Sequence, residues 1–359
     1  MKKIKIGDIL EIQPKSKVKA GEGITNGKYP FYTCSNELTK SVNTADYEGD
    51  ALIMGTGGMA SIHYEKGKFS TSTDCLVYKS NKNVNLSLIN KYLRTNIYLL
   101  ENGFKGAGLR HISRDYISNI TIPLPDRNLQ DKIVKELDLI EKTITNHNDV
   151  LKKYDTLIKS RFIEMFGDKP VENGKWKVEK LGNLGLCKNG MNFSYEDNGF
   201  EINCLGVGDF KDNAVISDCE KLPVISLNEK PSEEYLLKDN DIVFVRSNGN
   251  KELVGRSVLV HPRVLTTFSG FCIRFRLSTD SINHLFLLQF LKMPNTRKNM
   301  AGRGANIQNL NQQILSNLDI PVPQIELQND FASFVQQIDK SKFEIANSLK
   351  RLYNKGMLS

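Results

Sequence analysis

Apolar positions along this chain follow two periods, and the switch from one to the other happens twice. Strand-length apolar runs at 51–54 and 75–78 are answered later by runs at 242–245, 257–260 and 271–275. Each set leads into a segment with helical spacing, 86–100 in one case and 284–293 in the other. After Pro123-Leu124-Pro125 and again after Pro321-Val322-Pro323, the spacing becomes alternating steps of four and three. Ile133, Leu137, Ile140, Ile144, His147, Leu151, Tyr154, Ile158, Arg161 and Met165 mark the first such seam, with Phe162 and Phe166 beside it. Phe331, Val335, Ile338, Lys342, Ile345, Leu349 and Leu352 mark the second. Sustained 4-3 spacing predicts two long helices that bury their seams against each other as a coiled coil. The seam residues His147, Arg161 and Lys342 read as packing or register positions, the two long cations keeping their heads in water. The prolines lack a backbone donor and are expected to stop the sheet where they stand.

The two halves are copies of one another. Residues 117–125, Ile-Ser-Asn-Ile-Thr-Ile-Pro-Leu-Pro, recur at 315–323 as Leu-Ser-Asn-Leu-Asp-Ile-Pro-Val-Pro, an offset of 198. The same register pairs Leu129-Gln130 with Leu327-Gln328. Nearer the start of each copy, Ile6-Gly7-Asp8-Ile9 resembles Leu181-Gly182-Asn183-Leu184, and Gly49-Asp50 resembles Asn240-Asp241, at offsets of 175 and 191. The second copy therefore carries about 23 extra residues, mostly before residue 240. A pseudo-twofold α+β fold follows, built from two tandem mixed α/β domains and two long helices. The boundaries fall at 1–125, 126–167 (central helix), 168–322 and 323–359 (C-terminal helix).

Charge adds a direction to this plan. The net charge of +8 is spread unevenly: 1–120 holds 17 basic and 11 acidic residues, 171–245 holds 8 and 14, and 246–303 holds 10 and 2. Segregation of this kind suits a polyanionic partner. The six cysteines show no Cys-x-x-Cys pair, which argues for core thiols in a reducing, cytoplasmic setting and against a zinc site. No run approaches the roughly 20 uncharged residues of a membrane helix, so no membrane association is expected.

Motifs for chemistry are missing. There is no Gly-x-x-x-x-Gly-Lys-[Ser/Thr] loop, no Pro-Pro dipeptide such as amino-group DNA methyltransferases carry, and no His-Glu-x-x-His. Gly55-Thr56-Gly57-Gly58 lacks the full Gly-x-Gly-x-x-Gly spacing. No metal, no cofactor and no catalytic residue is expected. The glycine-bearing loops at 55–58, 105–111 and 301–306 read instead as backbone able to approach a phosphate or a groove. Around them stand side chains suited to phosphates and base edges: Thr56, Arg110, His111, Arg246, Asn248, Asn250, Lys251, Arg303, Asn306 and Gln308. Lys15, Lys17 and Lys19 alternate, so an extended segment would place them on one face, where they could track phosphates.

Two α/β units, each closed by Pro-x-Pro and a long helix, resemble the DNA specificity subunit of type I restriction–modification systems. Leu157-Ile-Lys-Ser-Arg-Phe-Ile-Glu-Met-Phe-Gly167 and Tyr29-Pro-Phe-Tyr-Thr-Cys-Ser35 carry that resemblance. It implies a target-recognition domain for each half of an asymmetric site. It also implies an antiparallel coiled coil between them that docks two methyltransferase subunits, which two motor-endonuclease subunits can join. Methyl donor, metal and ATP would belong to those partners. The chain departs from the pattern at its end, where Lys355-Gly356-Met357-Leu358 replaces a copy of Ser-Arg-Phe-Ile-Glu-Met-Phe and predicts a short or frayed last turn. A methyltransferase or nuclease with degenerate motifs, a pure scaffold and a silent specificity copy stay open as alternatives.

Overall fold

The computed structural model describes residues 2–80, 82–194, 196–210, 214–300 and 309–358, the side chains of Lys2, Lys251 and 353–358 excepted. The chain divides into two compact units, Met1–Thr145 with Asn354–Ser359, and Asn146–Tyr353.

In unit 1, Lys2–Lys5 pairs antiparallel with Thr121–Leu124. A four-stranded antiparallel sheet has the order Leu10–Ile12, Cys75–Ser80, Ala51–Gly55, Ile62–Glu65. A second sheet is mixed, with Tyr29–Tyr32 parallel to Lys68–Thr71. Ala51–Gly55 is buried along its whole length, as expected of a central strand covered on both faces. Helix Leu86–Thr95 lies on the first sheet, its Asn85 cap accepting the N–H groups of Ser87 and Leu88. The expected helix over 86–100 is broken: a turn at Asn96 and Ile97 separates Leu86–Thr95 from Tyr98–Glu101.

Unit 2 repeats the plan with additions. Lys177–Lys180 pairs with Asp319–Val322, and a five-stranded sheet runs Gly185–Asn189, Cys272–Leu277, Asp241–Val245, Ser257–Val260, Val215–Ile216. The fifth strand comes from the stretch that makes the second copy longer. Phe200–Leu205 runs parallel to Thr266–Phe268, as Tyr29–Tyr32 does to Lys68–Thr71. Small details are duplicated as well. A methyl built on Gly7 would meet Ser118 Cβ at 2.9 Å, and one built on Gly182 would meet Ser316 Cβ at 2.9 Å. Only glycine allows either approach. Gly49 (φ +93°) and its counterpart Asn240 (φ +65°) both make a left-handed turn, asparagine being the side chain that tolerates it best.

Two readings of the prolines and helix ends change. Pro123 and Pro321 sit inside strands, opposite Lys3 and Val178, in two-stranded sheets whose edges need no further donor. The chain leaves each sheet only at Pro125 and Pro323. The segment expected to be one helix over 284–293 ends at Leu291, and a second helix, Pro294–Met300, follows.

The long helices span Arg127–Phe166 and Ile325–Leu358, so the second continues through Gly356 where a short end was expected. Within unit 2 they run antiparallel: Phe162 packs on Phe331 with ring centroids 5.3 Å apart, and Asp155, further back on the first helix, pairs with Lys342, further along the second, at 2.6 Å. Phe162 and Phe166 are 0% and 1% exposed within a cluster that includes Phe286 and Phe331. They are therefore core residues of unit 2, with no surface to offer another chain. Along both helices the buried and half-buried positions follow the 4-3 seam, including Ile133, Leu137, Ile140, Ile144 and Leu151 on the first and Val335, Ile338, Ile345, Leu349 and Leu352 on the second.

Candidate nucleic-acid interface

In unit 1 two loops are zipped together. Lys105 and His111 exchange both backbone hydrogen bonds, at 2.9 and 3.0 Å, closing a loop that carries Leu109 and Arg110 at its tip. That loop lies against the glycine turn at 55–58: Ile112 N–H donates to Thr56 O at 3.1 Å and Gly58 N–H to Arg110 O at 3.0 Å. The His111 ring covers Gly57, with Cε1 3.2 Å from the position of a Cβ there. Thr56 is fixed from the other side, its N–H and Oγ1 both donating to Asp74 O, at 2.8 and 2.7 Å. Thr56, Arg110 and His111 are thus brought into one place.

The lysine segment is tied by its backbone to the neighbouring turn. Thr73 N–H donates to Val18 O at 3.0 Å, which ties the extended segment around residue 18 to the turn that holds Thr56. Lys15, Lys17 and Lys19 are exposed, while Ser16 is buried on Asp46 and Val18 is half-buried. Alternation in an extended chain therefore leaves the three cations on the outer face. Beneath this surface lies Cys34. Cys75 lowers its pKa, with help from the backbone N–H groups of Gly57 and Thr56, against the opposing effect of burial.

Unit 2 builds the same junction from different side chains. Leu310 N–H donates to Arg246 O at 2.8 Å, the counterpart of the Ile112–Thr56 bond, and Ser247 bridges to Asn309 as Gly57 does to His111. Arg246 N–H donates to Phe271 O at 2.8 Å, and its Nη1 to Gly270 O at 3.2 Å. Asn248 and Asn250 each spend their carboxamide oxygen on the loop itself, accepting from Asn250 N–H and Glu252 N–H. Their amide nitrogens are left as donors, so the bidentate pairing of asparagine with adenine needs these Asx turns to open. Lys251 begins a short 3-10 turn, Lys251–Leu253. Arg303, Asn306 and Gln308 lie outside the described residues.

The basic stretch 246–303 does not all serve one surface. Arg274 is 5% exposed inside the sheet, its pKa lowered by burial and by neighbouring Arg276. Arg276 makes a bidentate pair with buried Asp241, both bonds at 2.7 Å. Two residues at this interface escaped the sequence reading. Leu109, in the first tip, is 73% exposed, and Phe271 is 62% exposed because its strand begins one residue later, at Cys272. Phe271 had the pattern of a core strand residue, and the one signal against that was the Ser269-Gly270 turn before it. Among the described residues, no cluster of three or more His, Cys, Asp or Glu is placed to hold a metal ion. None of the described helices is long and apolar enough to cross a membrane.

A family model described as the type I restriction modification DNA specificity domain matches residues 1–153 and 173–352. The type I restriction enzyme MjaVIII specificity subunit of Methanocaldococcus jannaschii is 24% identical over 394 residues, covering 98% of this chain and 90% of that protein. The StySPI specificity subunit of Salmonella potsdam is 25% identical over 269 residues, covering 69% of this chain and 57% of that protein. The crystal structure of a type I restriction–modification S subunit from M. genitalium shares the fold, with a TM-score of 0.67 at 14% identity, over 99% of this chain and 94% of that one.

Proposed function

The chain belongs to the type I restriction–modification DNA specificity family, and from that premise we propose that it reads a split, asymmetric site in double-stranded DNA and performs no bond chemistry itself. Residues 1–125 and 168–322 act as the two target-recognition domains. The helices at 126–167 and 323–359 set the spacer between half-sites and dock two methyltransferase subunits, which two motor-endonuclease subunits can join in the cytoplasm. Methyl donor, metal and ATP come with those partners.

The observation that supports this reading best is the repeated loop junction: Thr56 with Ile112, and Arg246 with Leu310, share backbone bonds and differ in side chains. One scaffold that presents two unlike sets of side chains is what reading two unlike half-sites requires. Lys15, Lys17, Lys19, Arg110 and His111 face the first half-site in this scheme, and Arg246, Asn248, Asn250 and Lys251 the second, with Arg303, Asn306 and Gln308 assigned there from the sequence. The test exchanges residues 1–125 for those of another family member and maps methylated sequences genome-wide. One half-site changes and the other stays; a change in both, or in neither, defeats the modular reading. The purified chain alone transfers no labelled methyl group to DNA, and transfer without partners would make it an enzyme instead.

A further inference from the structure

We propose that Leu109 in unit 1 and Phe271 in unit 2 are specificity residues that contact thymine 5-methyl groups in the major groove, one in each half-site. This rests on the DNA reading above and names what two side chains do within it. Both are large apolar groups left mostly in water, 73% and 62% exposed. A scattered exposed leucine needs no explanation. These two, however, stand at the same junction in both units, among the polar groups assigned to DNA. Leu109 lies between the ends of a closed backbone loop, next to Arg110, and its Cδ2 is 4.0 Å from a Cβ placed on Gly57. Phe271 is held by its own carbonyl, which accepts Arg246 N–H, and by Ser269 Oγ, which accepts its N–H at 3.3 Å.

Phosphates and base acceptors are met by the neighbouring arginines, lysines and histidine, for which an aliphatic or aromatic side chain is no substitute. The one apolar feature that a base pair presents in the major groove is the thymine methyl. A leucine or phenylalanine presented on a fixed loop among cations matches that feature. It gains from burial there, and gains nothing from cytosine or guanine at the same place.

The experiment uses the full chain assembled with its methyltransferase partners and duplexes that carry the mapped recognition sequence. Thymines of each half-site are replaced in turn by deoxyuridine, which removes only the methyl. The wild-type complex should bind one such duplex in each half-site roughly three- to tenfold more weakly. Leu109→Ala should lose a similar factor on the thymine duplex and become indifferent to uracil in the first half-site alone, with Phe271→Ala doing the same in the second. Both positions are exposed, so neither substitution disturbs the core. A wild-type complex indifferent to every replacement overturns the proposal, as do variants that keep full uracil sensitivity, a half-site without thymine, or variants that lose partner subunits instead of DNA. If the wild-type complex prefers its mapped sequence no more than unrelated DNA, it is the DNA reading that fails.

Discussion

Gln328 accepts the backbone N–H of Asn283 through Oε1 at 2.9 Å, across 45 residues of chain. The same carboxamide donates through Nε2 to Pro323 O at 2.7 Å and Ser281 O at 3.0 Å, and the residue is 0% exposed. Asn283 caps the helix His284–Leu291, so one buried amide fixes the end of the sheet, the start of a domain helix and the start of the second long helix. Gln130 does the same work in unit 1, accepting Asn85 N–H at 2.8 Å and donating to Pro125 O at 2.8 Å. Gln328→Ala leaves buried donors and acceptors unpaired and should destabilise unit 2 by about 2–4 kcal/mol in denaturant unfolding. Gln328→Glu should cost as much at neutral pH, because a carboxylate cannot make the two donations. A loss below about 0.5 kcal/mol for both, well under the cost of one unpaired group, would show the amide to be dispensable.

Lys292 lines a cavity of about 420 Å³ in unit 2 with Lys342, Lys159, Arg256, Arg297, Asp155 and Asp339. Burial lowers its pKa from 10.5 to about 8, with Lys342 adding to the shift and Asp155 and Asp339 opposing it. Between pH 8 and 10.5 the unfolded chain therefore binds more protons than the folded one at this residue, so stability from this group rises with pH across that window. Below pH 8 its buried charge is a net cost. Lys292→Met should be more stable than the wild type at pH 7 by about 1–2 kcal/mol, less than the full lysine shift implies because Lys292 is only half-buried and its charge keeps part of its screening by solvent. The advantage should shrink from about pH 8 upward and be gone by about pH 10.5. A variant that is less stable at pH 7, or whose advantage is flat to pH 11, contradicts this assignment. The measurement is denaturant unfolding repeated across pH.

Duplication, the two long helices and the α/β character were legible because matched apolar spacing and Pro-x-Pro recur at a fixed offset. Strand order and the helix breaks were not. The break at Asn96 and Ile97 is not encoded in local apolar spacing, and the stop at Leu291 is signalled by Pro294, which apolar spacing alone leaves out. The loop candidates Thr56, Arg110, His111 and Arg246 do gather at two equivalent junctions, because glycine and exposed polar residues mark loops well. Charge counting misled at Arg274 and Arg276: a sheet can bury an arginine or hold one against Asp241, and a running total cannot see which cations have partners. Leu109 and Phe271 went unnoticed because an apolar side chain by itself does not tell whether it points inward, and for Phe271 only the preceding Ser269-Gly270 turn argued against the core.

Lys15, Lys17 and Lys19 share the outer face of one extended segment, and among the described residues no ion pair is recorded for any of them. If each neutralises one phosphate, replacing all three by alanine should weaken binding to specific and unrelated DNA alike. It should also reduce the slope of log K against log salt by about 3. Arg246→Ala, by contrast, should lower affinity for the mapped sequence more than for unrelated DNA and relax preference in one half-site. Titrations at several salt concentrations separate the two. An unchanged slope in the triple variant removes these lysines from the interface.

Spacer length provides the last test. In unit 2 Phe162 packs on Phe331, while Asp155, earlier on the first helix, pairs with Lys342, later on the second, so the helices pair in opposite directions. A heptad inserted into both, at the level of Asp155 and Lys342, returns every seam residue nearly to its own face. It adds about 10 Å to each helix at 1.5 Å per residue. At 3.4 Å per base pair that is close to three more pairs between half-sites. The methylated sequence should keep both half-sites and lengthen its spacer accordingly. Insertion into one helix alone puts the partner seam out of step and should abolish methylation at either spacing. An unchanged spacer in the double insertion would mean that these helices do not set the distance.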